Sequence, residues 1–162
     1  AGQSVRLTKK VGASAAGLKL LQAARAGSDD AAFAAFVHGL DARARAAVKA
    51  HVEPVVVHGL DSLADYAVAA IDVSDGLVKD AGRLARASGI AIDLDGLLSA
   101  VDPSASVDDA LYGGEDWAVL FCVPDGLGDP PGCVRVGRVK DGAGVWRDGE
   151  RLEERGYDHF GG

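Results

Sequence analysis

Methionine is missing from all 162 residues, and cysteine occurs only twice, as Cys122 and Cys133. The two cysteines have no metal-ligand spacing, so they are expected to be reduced thiols rather than a metal site or a bridge. Basic runs are absent too, and the net charge is −7, which excludes the electrostatic footprint of a nucleic-acid or anionic-membrane binder. No apolar run is long enough to span a bilayer. The opening Ala-Gly-Gln-Ser-Val-Arg lacks the hydrophobic core of a signal peptide, so the expected location is the cytoplasm. Aromatic residues make up only 6% of the chain, and neither a Walker-type phosphate loop nor a Ser-His-Asp or Cys-His nucleophile pattern occurs. His38, His51 and His58 are scattered without ligand spacing. A chain without methionine that opens almost directly on a strand reads as a piece of a longer protein.

What is present is 48% hydrophobic residues and 22 glycines, enough for one domain with a real core and many tight turns. Apolar periodicity predicts a strand at Val5-Arg6-Leu7-Thr8 and three helices. The first carries Leu18, Leu20, Leu21 and Ala24; the second is capped at Asp29 and carries Phe33, Phe36 and Val37; the third runs from Asp41 to His51. Val55 to Val57 reads as a connector or short strand, and Leu60 to Tyr66 as a small helical segment. Later strands are expected at Ile90 to Asp95, Trp117 to Val123 and Cys133 to Val139, with a short helix over Val107 to Tyr112 and a hairpin between Asp141-Gly142 and Asp148-Gly149. Helices early and strands late suggest an α/β (α+β) fold with helices layered on a mixed sheet.

Three polar motifs interrupt this framework. Ala67 to Ile71 is an unbroken apolar run, as in a strand buried on both faces, and it leads into Asp72-Val73-Ser74-Asp75-Gly76. A helix follows, with Leu77, Val78, Ala81, Leu84 and Ala85 on one face and Lys79, Asp80, Arg83 and Arg86 on the other, until Gly89. Strand, acidic turn and helix N-terminus is where α/β proteins handle ligands. Two carboxylates would repel a phosphate, but a divalent hard cation between them would hold it; the competing reading is that Ser74 or Asp75 only caps the helix. The second motif, Gly113-Gly114-Glu115-Asp116, is either a tight turn with room for a ligand or a turn with two solvated acids. The third, Gly156-Tyr157-Asp158-His159-Phe160, is either part of a site or docked terminal packing.

In this order the three motifs resemble the C-terminal half of the thiamine-monophosphate kinase family. Gly12-Ala13-Ser14-Ala15-Ala16-Gly17-Leu18 is similar to that family's Gly-Asp-Ser-Ala-Ala-Gly-Leu, where its chain enters the second domain. The resemblance covers nearly all of the chain and implies a superfamily of ATP-using synthetases that includes aminoimidazole-ribonucleotide synthetase, selenophosphate synthetase and a hydrogenase maturation factor. The implied fold is a three-layer mixed sheet with helices, partly ferredoxin-like. Residues 1–162 would be the C-terminal domain of a kinase whose N-terminal ATP-binding domain lies outside this chain and supplies most of the Mg²⁺ ligands and the homodimer interface.

The resemblance further implies ATP-dependent phosphorylation of thiamine monophosphate to thiamine diphosphate, with no protein nucleophile. By position, Asp72 and Asp75 would bind Mg²⁺, Ser74 would contact ATP, and Glu115 and Tyr157 would meet the thiamine end of the substrate. The chain by itself would be inactive. The sequence departs from the family pattern at Lys9-Lys10, where a Gly-Thr pair is common, at Ala13, where an acid stands, and at His51 to Val57, where a Pro-Arg-rich stretch is shortened. Two other readings of the fold are a non-catalytic binding or assembly domain and another ATP-dependent synthetase of the superfamily.

Overall fold

The computed structural model describes residues 2–56, 60–128 and 130–156. Its centre is a seven-stranded sheet. The strands are β1 (Ser4–Leu7), β2 (Ala69–Val73), β3 (Ala91–Asp93), β4 (Ala118–Val123), β5 (Val134–Lys140), β6 (Gly144–Arg147) and β7 (Glu150–Arg151), in the order β2-β4-β1-β5-β3-β6-β7. All neighbours are antiparallel except β3 and β6, so the sheet is mixed, as expected. The helices are α1 (Ala13–Arg25), α2 (Asp30–Gly39), α3 (Ala42–Val52), α4 (Leu77–Ser88), α5 (Leu97–Ala100) and α6 (Val107–Tyr112), with a 3-10 segment at Leu60–Asp65.

Strand pairing sets one inner face. Val5 lies opposite Cys122, Leu7 opposite Leu120, and on the other side of β4, Val73 lies opposite Ala118. Because side chains alternate along a strand, these residues share one side, and they join the buried stripe of α4, Leu77, Val78, Ala81, Leu84 and Ala85, in a single core. Burying a leucine there stabilises the fold by roughly 1.5–3 kcal/mol. Gly89 closes α4 in the left-handed conformation at φ 64°, its N–H donating to the Ala85 and Arg86 carbonyls. Asp29 and Asp41 cap α2 and α3 through the Ala32 and Ala44 amides, both at 2.8 Å. α6 carries a full capping box between Ser106 and Asp109.

Two sequence expectations are corrected. The strand before the acidic turn is not buried on both faces: β2 begins two residues later than the apolar run and lies at the sheet edge. There Ala70 and Asp72 are exposed, while Ala69, Ile71 and Val73 turn inward. An apolar run made largely of alanine does not distinguish a central strand from an edge strand. The expected hairpin is also displaced. β3 sits between β5 and β6, so Asp141-Gly142 joins strands that do not pair. The real hairpin is β6–β7, turning at Asp148 (φ 52°) and Gly149 (φ 83°), the paired positive φ values of a type I′ turn. Among the described residues, Val55 and Val56 form no strand, and no helix is long and apolar enough to cross a membrane.

Candidate functional site

The acidic turn is shaped by a residue that periodicity places on the wrong face. Asp80 was expected on the polar side of α4, yet it is 1% exposed. Its carboxylate accepts the Ser74 and Asp75 amides, each at 3.0 Å, and also takes Arg83 Nη1 at 2.6 Å. Asp80 follows Leu77 by three residues and precedes Leu84 by four, spacing that puts it on the inward stripe; that was the available signal. Neither Ser74 nor Asp75 caps α4, because the N-cap is Gly76 and no side-chain bond is made there. The Ser74 and Asp75 amides of this turn are bonded to Asp80 rather than offered to an anion.

Asp72 and Asp75 stand in different surroundings. Asp72 is exposed on the outer face of β2. Asp75 is held by Arg83 Nη2 at 2.8 Å and by Lys79 Nζ at 3.5 Å. Partial burial works to raise its pKa, but Arg83 and Lys79 outweigh that and keep it below the usual carboxylate value. Burial outweighs the same kind of bonds at Asp80, whose pKa is raised. Among the described residues, no group of three or more His, Cys, Asp or Glu is placed to hold a metal ion. A donor set of two carboxylates fits Mg²⁺ taken together with phosphate oxygens, not Mg²⁺ held by protein alone.

The second motif is bonded directly to the first. The Glu115 amide donates to the Ser74 carbonyl at 2.8 Å, and the Trp117 amide to the Val73 carbonyl at 3.0 Å. The backbones approach so closely that a Cβ on Gly114 would lie 2.6 Å from the Ser74 carbonyl oxygen. Glu115 is exposed and takes the Trp117 indole N–H on Oε2 at 3.1 Å. Both residues have positive φ, 64° and 53°, a cost of about 1–3 kcal/mol each outside glycine. Between them Asp116 is only 4% exposed, which corrects the reading of two solvated acids. It accepts the Gly12 amide at 2.7 Å and the Ser14 amide at 3.4 Å, fixing the start of α1. Burial, with a smaller push from Asp102, raises its pKa to about 6 against the pull of those two bonds and of Lys9.

Gly156, the one residue of the third motif among those described, reaches the same place. A Cβ on Gly156 would lie 2.4 Å from the Asp75 carbonyl oxygen, so the chain passes against the acidic turn. Arg155 sits 4.8 Å over the Tyr112 ring, and Arg86 pairs with Glu154. Tyr157 lies outside the described residues, as do His58, His159 and Phe160.

Between α1 and the Gly113-Gly114-Glu115 loop lies a cleft of about 580 Å³, lined on one side by Ser14, Leu18, Lys19 and His51 and on the other by Tyr112, Glu115 and Gly156. His51, which lacks any sequence spacing to mark it, bonds Ser14 Oγ through Nδ1 at 3.0 Å. Only the packing of α3 on α1 brings the two together. The departures Lys9, Lys10 and Ala13 share a separate pocket of about 280 Å³ with Asp102 and Asp116.

No family model matches the chain. The thiamine-monophosphate kinase of Aquifex aeolicus (strain VF5) is 32% identical over 173 residues, which take in 98% of this chain and 52% of that protein. The solved structure described as AaThiL complexed with AMPPCP and TMP matches with a TM-score of 0.80 at 30% identity, covering 98% of this chain and 52% of that one. E. coli HypE, a hydrogenase maturation protein, matches with a TM-score of 0.55 at 14% identity, covering 98% of this chain and 50% of that one; this shows a shared fold only. The chain spans about half the length of the curated relatives it matches.

Proposed function

From a chain that belongs with the thiamine-monophosphate kinases over 98% of its own length and about half of theirs, we propose that it is the C-terminal domain of such a kinase. The proposed reaction moves the γ-phosphoryl group of ATP onto the phosphate of thiamine monophosphate, giving thiamine diphosphate and ADP. The observation that carries this reading is the seam between motifs. Glu115 N–H donates to the Ser74 carbonyl, and Gly156 abuts the Asp75 carbonyl, so the turn that would handle ATP and metal is bonded to the loop whose Glu115 lines the cleft.

In this reading an oxygen of the substrate phosphate attacks the γ-phosphorus, the bond to the β-phosphate oxygen breaks, and ADP leaves. Such a transfer needs positioning and charge stabilisation rather than a protein nucleophile. Mg²⁺, when bound, would neutralise phosphate charge that the acidic turn would otherwise repel. Asp72 and Asp75 would hold it, with Lys79 and Arg83 balancing Asp75. Ser74 would contact ATP. Glu115 would face the cationic thiazolium, and Tyr157 would lay its ring against it. The reading also gives the full-length protein an N-terminal ATP-binding domain, a homodimeric state, and a cytoplasmic setting in which the free thiols of Cys122 and Cys133 stay reduced.

The test is acceptor specificity in the full-length protein. With ATP and Mg²⁺, thiamine monophosphate should be consumed with one ADP formed per thiamine diphosphate, and unphosphorylated thiamine should not be consumed. Turnover of thiamine, or none of thiamine monophosphate, would contradict the reading.

A further inference from the structure

Asp116 stands at a junction that the proposed chemistry does not use. Its carboxylate is buried, and both its oxygens accept backbone amides at the start of α1, from Gly12 and Ser14. Ser14 in turn bonds His51, and both line the cleft opposite Glu115. On its other side the same loop is tied through the Glu115 and Trp117 amides to the acidic turn and β2. The two residues flanking Asp116 are the ones held at positive φ, a conformation that persists only where surrounding bonds impose it. One side chain therefore joins the two walls of the cleft.

We infer that Asp116 is a positioning residue for the substrate: by holding the Ser14 amide it sets the distance between the Ser14–His51 wall and Glu115, and so the grip on the thiamine end. This rests on the function proposed above. A carboxylate offers an acceptor to each amide, whereas a carboxamide or protonated carboxyl offers one acceptor and turns a donor toward the other N–H. The groups that act on its charge are Lys9, which favours the ionised form, and Asp102, which opposes it; His51 is reached through Ser14.

The experiment is kinetics of Asp116→Asn in the full-length protein at pH 7.5, beside a melting curve. Removing a buried charge should raise the melting temperature, while the KM for thiamine monophosphate should rise about five- to tenfold for the weakened tie. The KM for ATP and kcat should stay within about twofold, because the acidic turn is held separately by Asp80. A role confined to fold stability predicts that a more stable variant binds substrate at least as well, so an unchanged KM overturns the inference and leaves the kinase reading standing. If Asp116→Asn does not fold, Lys9→Met takes its place. Loss of that cation favours protonated Asp116, so the KM should rise at pH 6.5 and match the unmodified protein at pH 8; equal values at both overturn the inference. Failure of the unmodified protein to phosphorylate thiamine monophosphate overturns the kinase reading, and this inference with it.

Discussion

Asp72 and Asp75 are separated only by Val73 and Ser74, yet substitution should affect them differently. Asp72 is exposed at the sheet edge, so Asp72→Asn should change stability by less than about 0.5 kcal/mol. If it holds Mg²⁺, turnover should fall about a hundredfold, on the order of 3 kcal/mol of transition-state stabilisation. Asp75 is ion-paired to Arg83 and Lys79. Asp75→Asn should therefore also cost about 0.5–1 kcal/mol of stability, partly offset by solvent screening. The sign in pH follows from its lowered pKa: the contribution is present above the unfolded value of 3.8 and is lost as pH falls through the lower folded value. Denaturation midpoints of Asp75→Asn and the unmodified protein should differ at pH 7 and converge in strong acid. A constant gap across that range would show that the ion pairs do not set the Asp75 pKa.

At the scale of elements, the site depends on close backbone seams. Gly114→Ala drives a methyl to 2.6 Å from the Ser74 carbonyl and should cost about 1–3 kcal/mol while separating the loop from the acidic turn; unchanged melting and turnover would mean the seam does not hold the site. Asp116 ties α1 to the same loop. Its folded pKa of about 6 lies above the unfolded 3.8, so its contribution is fully present below pH 3.8 and is lost as pH rises through about 6. Asp116→Asn should be more stable than the unmodified protein by about 1–2 kcal/mol at pH 7.5, with the advantage gone at pH 4; denaturant midpoints at the two values check this. Most of the elements were legible in the sequence, though the short α5 was not. Caps at Asp29 and Asp41, the glycine stop at Gly89 and the β4 run all lie where local patterns put them. What was not legible depends on neighbours in space. No local pattern reveals that β2 is an edge, that β3 separates β5 from β6, or that His51 meets Ser14. Asp80 and Asp116 were misread for one reason: an acid was taken as solvated, although backbone amides buried beside it supply its partners.

For the whole molecule, the described residues form one core beneath a mixed sheet, with the first two motifs and Gly156 of the third gathered at one end of β2 and β4. A fold shared with a hydrogenase maturation protein does not by itself choose a substrate. That choice rests on how the motifs meet and on relatives that match 98% of the chain. The function proposed above requires these motifs to form part of a single phosphoryl-transfer site that a second domain completes. The most direct measurement follows label from [γ-³²P]ATP into thiamine diphosphate across a Mg²⁺ titration, for the full-length protein, its Asp72→Asn variant and residues 1–162 alone. Labelled thiamine diphosphate is expected from the full-length protein, about a hundredfold less from Asp72→Asn at every Mg²⁺ concentration, and none from residues 1–162. Full transfer by Asp72→Asn, or steady transfer by residues 1–162, would contradict the proposed function.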